Sequence, residues 1–291
     1  MLSFAAVGSH GREWCTRLVI LALAVAPAAA QNGPADSLSL AIRTLIATRT
    51  PILDVLESGD RLVVLTPEAI SLYTTADALS GAPAIASVVM THTRPWPRDV
   101  RGQLRATGPA RGATGFQALL PGVICRGTLR PFAASCADDT TNWSLLDSNG
   151  IEPSRNYFST SNGLQFYSEA FLGNAGWLVV DTTGRLMFLN PSRVPMARAD
   201  AADDVARIGT ACATGPLVVA TSRSSQASAR DDIRLLSVGE TTLTPVSTLT
   251  LPGEVTALWT SWSSTGIVTV VVHDPGSSRY EAHHLTVACA R

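Results

Sequence analysis

The 291-residue chain contains no lysine: all 22 of its basic side chains are arginine. An all-arginine set fits a GC-rich coding sequence as well as it fits bidentate contacts to anions, and it selects no function. An excess of one charge is also missing. With 22 basic against 23 acidic side chains the formal charge is −1, which gives nucleic-acid binding no electrostatic support. No apolar run reaches the roughly 20 residues that a membrane-spanning helix needs. The sequence has no C-x-x-C pair, which an exported zinc ribbon would require. It also lacks G-x-S-x-G, H-E-x-x-H and the P-loop. A carboxylate pair for glycoside hydrolysis leaves no linear signature, so that class stays open.

Residues 1–30 have the layout of a secretory signal peptide. Arg12 and Arg17 precede the apolar run Leu18 to Val25, and Pro27, Ala28, Ala29 and Ala30 lead to Gln31. The expected mature protein is exported, periplasmic or extracellular, with no membrane span. Cys15 comes before the apolar core, where it is not placed to become a lipid anchor. Cleavage removes two arginines and one glutamate, leaving a formal charge of about −2. Four cysteines remain, an even number for an oxidising compartment, and they predict two disulfides. The expected pairs are Cys125–Cys136, which brackets a hairpin-like segment, and Cys212–Cys289, which pins the chain end to an interior strand.

Asp36 is placed to cap a short helix with Leu38, Ile42, Leu45 and Ile46 on one face, ending before Pro51. Residues 31–51 are therefore read as helix and linker. From Ile52 onward the pattern changes to short apolar runs separated by Gly, Pro, Asn, Asp and Ser, and residues 52–291 are predicted to be all-β. Four runs each follow a turn signal: Arg61 to Leu65, Trp177 to Val180, Leu217 to Ala220 and Ile267 to Val272. Each has a second strand after it, at Ile70 to Tyr73, Arg185 to Leu189, Ile233 to Val238 and Tyr280 to Val287. The spacing of these hairpins approaches the roughly 40–45 residues of a propeller blade, which predicts about six or seven blades. A large β-sandwich is the rival.

The chain carries, in order, Arg94-Pro95-Trp96-Pro97-Arg98-Asp99-Val100-Arg101-Gly102, Leu120-Pro121-Gly122-Val123-Ile124-Cys125, Arg155-Asn156-Tyr157-Phe158, Val255-Thr256-Ala257-Leu258-Trp259 and Tyr280-Glu281-Ala282. This ordered set resembles a group of exported bacterial propeller-like proteins labelled by analogy with FG-GAP or VCBS repeats. The resemblance covers most of the mature chain. It implies export and a propeller-like fold, and it carries over no catalytic residue. The chain departs from the FG-GAP pattern in lacking the D-x-D-x-D-G calcium loop.

Several places offer chemistry. Two prolines hold Trp96 on an extended backbone beside Arg98, Asp99 and Arg101, a combination suited either to gripping a glycan or anion or to wedging between blades. Asp147, Asn149 and Glu152, with Asp138 and Asp139 upstream, are candidate calcium ligands, although Asn149-Gly150 also reads as a hairpin turn. Asp203-Asp204 and Asp231-Asp232 read as solvated acidic loops. His283 and His284 are neighbours on one predicted strand, so they point to opposite faces. Trp259 and Trp262 read as core. The expectation is a monomeric, non-catalytic binding or scaffolding protein for a protein or glycan, with no cofactor other than possible calcium. The alternative is an extracytoplasmic hydrolase or lyase with acidic residues in a central cavity.

Overall fold

A computed structural model describes residues 38–90, 102–108, 113–120, 123–138, 159–161, 164–181, 183–213, 215–222, 230–261, 264 and 266–289. They form one unit within Asp36–Arg291. The described residues are almost wholly β, with one α-helical turn, α1 (Thr75–Ala78), and one 3-10 turn at Gly173–Ala175.

The strand preference follows from composition. Runs such as Leu-Val-Val-Ala and Val-Thr-Val-Val-Val are β-branched and apolar on both faces, which suits strands covered on both sides. They assemble into five antiparallel sheets. The first sheet contains β2 (Asp54–Ser58), β3 (Arg61–Leu65), β4 (Ala69–Thr74) and β5 (Ala86–Val89). The second contains β6 (Gln103–Thr107), β7 (Gly115–Leu120), β8 (Val123–Leu129) and β9 (Phe132–Asp138). The third has five strands: β10 (Ser159–Ser161), β11 (Leu164–Phe171), β12 (Trp177–Asp181), β13 (Arg185–Leu189) and β14 (Pro195–Ala201). The fourth has β15 (Val205–Ile208), β16 (Leu217–Thr221), β17 (Asp232–Val238) and β18 (Leu243–Thr250). The fifth joins β19 (Glu254–Thr260), β20 (Val268–Asp274) and β21 (Arg279–Cys289) to the N-terminal strand β1 (Leu38–Thr48).

The four hairpins read from the sequence are the β3–β4, β12–β13, β16–β17 and β20–β21 pairs. The packing between sheets decides against a two-layer sandwich. Val63, Ile70 and Phe116 share a core between the first and second sheets, and Leu178, Phe188 and Val218 share one between the third and fourth. Val219, Leu258 and Val270 join the fourth to the fifth, and Ile46, Val64 and Val271 join the fifth to the first. The first, fourth and fifth sheets therefore bury both faces. First strands of successive sheets also adjoin, β2 with β6 and β15 with β19. This is a propeller-like arrangement in which the N-terminal strand completes the last sheet. Each fully buried Val, Leu or Ile contributes about 1.5–3 kcal/mol to holding it.

The described residues contain five sheets, and the count of six or seven blades is not confirmed, residues 91–101 and 139–158 lying outside the described residues. One expectation changes. The segment expected to be a helix is β1, an eleven-residue strand. Its ladder with β21 shifts register between Thr44 and Ile46. That bulge breaks the two-residue alternation and buries both Leu45 and Ile46, at 4% and 1% exposure, which mimics helical spacing in the sequence. Pairing with β21 outweighs the helix propensity of so short a segment, which is marginal in isolation.

Both disulfides join the expected cysteines. Cys125 and Cys136 sit opposite one another on β8 and β9, with Cα atoms 3.9 Å apart. Cys212, after β15, is bonded to Cys289 at the end of β21, with Cα atoms 6.1 Å apart. The second bond ties the fourth sheet to the closing one.

Candidate functional site

Trp96, Arg98, Asp99 and Arg101 lie outside the described residues, as do Asp147, Asn149, Glu152, Asp139 and Trp262. Asp138 ends β9 opposite Val123. Among the described residues no group of three or more His, Cys, Asp or Glu is arranged to hold a metal ion.

Acidic residues next to the inner strands hold backbone together. Asp54 begins β2, is 3% exposed, and accepts hydrogen bonds from Val55 N at 2.8 Å and Leu104 N at 2.7 Å, the latter on the next sheet. Burial pushes its carboxyl up to about 7, against the opposing pull of the Leu104 and Val55 amides. Asp204 precedes β15, accepts from Val205 N at 2.9 Å, and also accepts from the Ser168 hydroxyl. Asp231 accepts from Val255 N at 2.8 Å through Oδ2, while its Oδ1 is buried without a hydrogen-bond partner. Burial raises its pKa, and the neighbouring Glu254 and Asp232 charges add to the rise. The acidic loops expected to be solvated are thus partly internal, with Asp204 4% and Asp231 2% exposed. Buried N–H groups where a strand starts need acceptors, and a carboxylate supplies two.

His283 and His284 are both 4% exposed. Their environments confirm opposite faces: His283 Nδ1 is 3.0 Å from Thr44 Oγ1, whereas His284 Nδ1 is 3.5 Å from Glu57 Oε2 of the first sheet. Trp259 packs against the core between the fifth and first sheets.

Among the described residues, an open cleft of about 400 Å³ lies between the third and fourth sheets. Ala175, Phe188, Met196, Pro216 and Val238 form apolar walls, with Asn190 and Glu240 as the polar groups. Two local features build it. The β13–β14 turn is held by Arg193 N donating to Asn190 O at 2.8 Å and Val194 N donating to Asn190 Oδ1 at 2.9 Å. Val238 N donates to Pro216 O at 3.0 Å, which fixes the opposite wall. Beside the cleft, the Arg193 guanidinium lies 4.8 Å from the Trp177 ring centroid, and Trp177 in turn packs on Phe171 at 4.5 Å. Met196 and Val194 remain 40% and 48% exposed. Such a site excludes water from an inserted apolar group and offers one carboxylate and one amide for orientation.

No family model matches the chain. No curated protein matches it either. Solved structures do resemble it. The structure of U3-55K is 11% identical, matches over 84% of this chain and 98% of its own, and has a TM-score of 0.45. The Pan2 WD40 domain of Neurospora crassa is 8% identical over 80% of this chain and 75% of its own, with a TM-score of 0.46. BBS1N, solved in complex with ARL6DN, is 11% identical over 80% of this chain and 78% of its own, with a TM-score of 0.43. The propeller-like description rests on the sheets and their cores. Among the described residues no helix is long and apolar enough to cross a membrane.

Proposed function

We propose that this chain is an exported, monomeric, non-catalytic binding module, and that it takes an apolar side chain of a protein partner into the cleft between its third and fourth sheets. The observation that carries this reading is the composition of that cleft: five apolar walls around one carboxylate and one amide. Few polar groups in an apolar recess favour recognition of shape and apolar surface. The carboxylates described next to the inner strands support the same reading, because Asp54, Asp204 and Asp231 each accept a backbone N–H. Export rests on the N-terminal pattern of Arg12 to Ala30, and two disulfides suit that destination. The likeness to FG-GAP or VCBS-labelled proteins belongs to the same proposal and rests on the ordered sequence motifs alone.

The test is capture of partners by the mature protein and by Met196→Glu, whose site is exposed enough to leave the core intact. A glutamate there places a charge in the recess beside Glu240. A partner held by the wild type should bind the variant about thirtyfold or more weakly, the scale of a lost hot spot, with an unchanged melting curve. Equal capture by both proteins would move the site elsewhere, with the segment around Trp96 and Arg98 the next to be mutated.

A further inference from the structure

The disulfide from Cys212 secures β21 to the fourth sheet, but β1 is held by other means. These are its ladder with β21, the burial of Leu45 and Ile46, and a bidentate ion pair from Arg43 to Glu57 of β2. Arg43 Nη1 donates to Glu57 Oε1 at 3.1 Å, and Nη2 donates to Oε2. The same Nη2 lies 3.2 Å from His284 Nδ1. A guanidinium has only donors, so Nδ1 must accept there, and the ring is neutral with its proton on Nε2. Glu57 Oε2 is 3.5 Å from that same Nδ1.

We propose that His284 makes β1 an acid-released latch: a proton on Nδ1 draws Glu57 from Arg43 to His284 and loosens the closing strand from the first sheet. With Nδ1 protonated, the Arg43 contact sets donor against donor and cation against cation, while Glu57 Oε2 becomes the acceptor for the new N–H. The partner that leaves is the one free to leave, since the Arg43 side chain is 58% exposed and that of His284 5%. His283 touches the adjacent residue of β1, Thr44, from the other face, with Nε2 3.6 Å from Glu281 Oε2. Both imidazoles thus meet β1 just before its bulge.

The other elements packed here add little charge. On β3, Arg61 lies 3.8 Å from Asp60, and on α1, which packs on β1, Asp77 bonds Thr74. Tyr73 and Tyr280 border the core between the fifth and first sheets, and β18, which also packs on β1, carries no charged residue. Burial depresses the His284 pKa to about 4, with Glu57 opposing and Arg43 assisting, and burial depresses that of His283 as well.

Hydrogen exchange of the mature, disulfide-bonded protein tests the latch, after correction for intrinsic rates. Amides of residues 38–48 should exchange about twentyfold faster near pH 5 than near pH 7, the ratio set by a proton that binds more tightly once the strand opens. Those of β12 and β13 should not change. His284→Gln keeps an acceptor for Arg43 without titrating, and should remove most of the pH response of β1, leaving the part that His283 contributes from the other face. Arg43→Gln at its exposed position removes the displaced cation and should weaken the response without abolishing it, because burial is the larger cause of the depressed His284 pKa. Equal protection of β1 near pH 5 and pH 7 in the wild type, or a pH response of undiminished size in either folded variant, overturns the proposal.

Discussion

Replacing Cys212 and Cys289 with serine should lower the unfolding free energy by about 4–5 kcal/mol, against about 3 kcal/mol for the Cys125–Cys136 pair. The difference follows from loop length. The first bond closes 77 positions of chain and the second 11, and cross-linking more distant residues removes more freedom from the unfolded state. Position in the fold points the same way. Cys212–Cys289 binds the closing sheet to the fourth, whereas Cys125–Cys136 joins strands already paired in one ladder. Urea unfolding of the two double variants, followed by tryptophan fluorescence, should rank them in this order. A larger loss from the shorter loop would contradict the placement of the long one.

Between about pH 4 and 6.5 the wild type should show little net change in stability from its two most shifted buried groups, and removing either should reveal a steep slope. Asp54 titrates near 7 when folded, above its ordinary 3.8. The stability it adds is complete below pH 3.8 and is lost as the pH rises through 7. His284 titrates near 4, below its ordinary 6.5. Its contribution is complete above 6.5 and is lost as the pH falls through 4. Within the shared window the folded state holds the Asp54 proton and the unfolded state holds the His284 proton, so the two slopes cancel. Asp54→Asn leaves only the His284 contribution, and stability should fall by up to about 1.4 kcal/mol for each pH unit of acidification. Within this window the lost acceptor for one of the Val55 and Leu104 amides subtracts about 1–3 kcal/mol more, the cost of one unpaired buried N–H. His284→Gln should show the reverse slope and become more stable toward acid. Melting temperatures of the three proteins across this window provide the check, and parallel curves would contradict the opposed protonation of the two groups.

What the sequence reveals of this fold divides along physical lines. The β3–β4, β12–β13, β16–β17 and β20–β21 hairpins are legible because a turn residue and a β-branched run lie side by side in the chain. The disulfide partners are legible because each cysteine lies in or beside a recognisable strand. β1 is misread because one bulge converts alternation into helical spacing. The buried aspartates resemble loop residues because Asp54 and Asp204 look like any Asp before Val, and Asp231 meets the Val255 amide from 24 positions away. The cleft draws its walls from Ala175 to Glu240, and Arg43 meets His284 across 241 positions, so neither has a local signature. The candidates with the strongest local character, Trp96 to Arg101 and Asp147 to Glu152, fall outside the described residues.

The central structural claim is that the N-terminal strand closes the last sheet by pairing with β21. Ala41 and Thr286 face one another in that ladder and both are exposed. The double variant Ala41→Cys, Thr286→Cys, purified without reductant and mapped by peptide mass spectrometry, measures the pairing directly. The account predicts a third intramolecular disulfide joining positions 41 and 286. Two free thiols at those positions, or a bond from either to another cysteine, would contradict it.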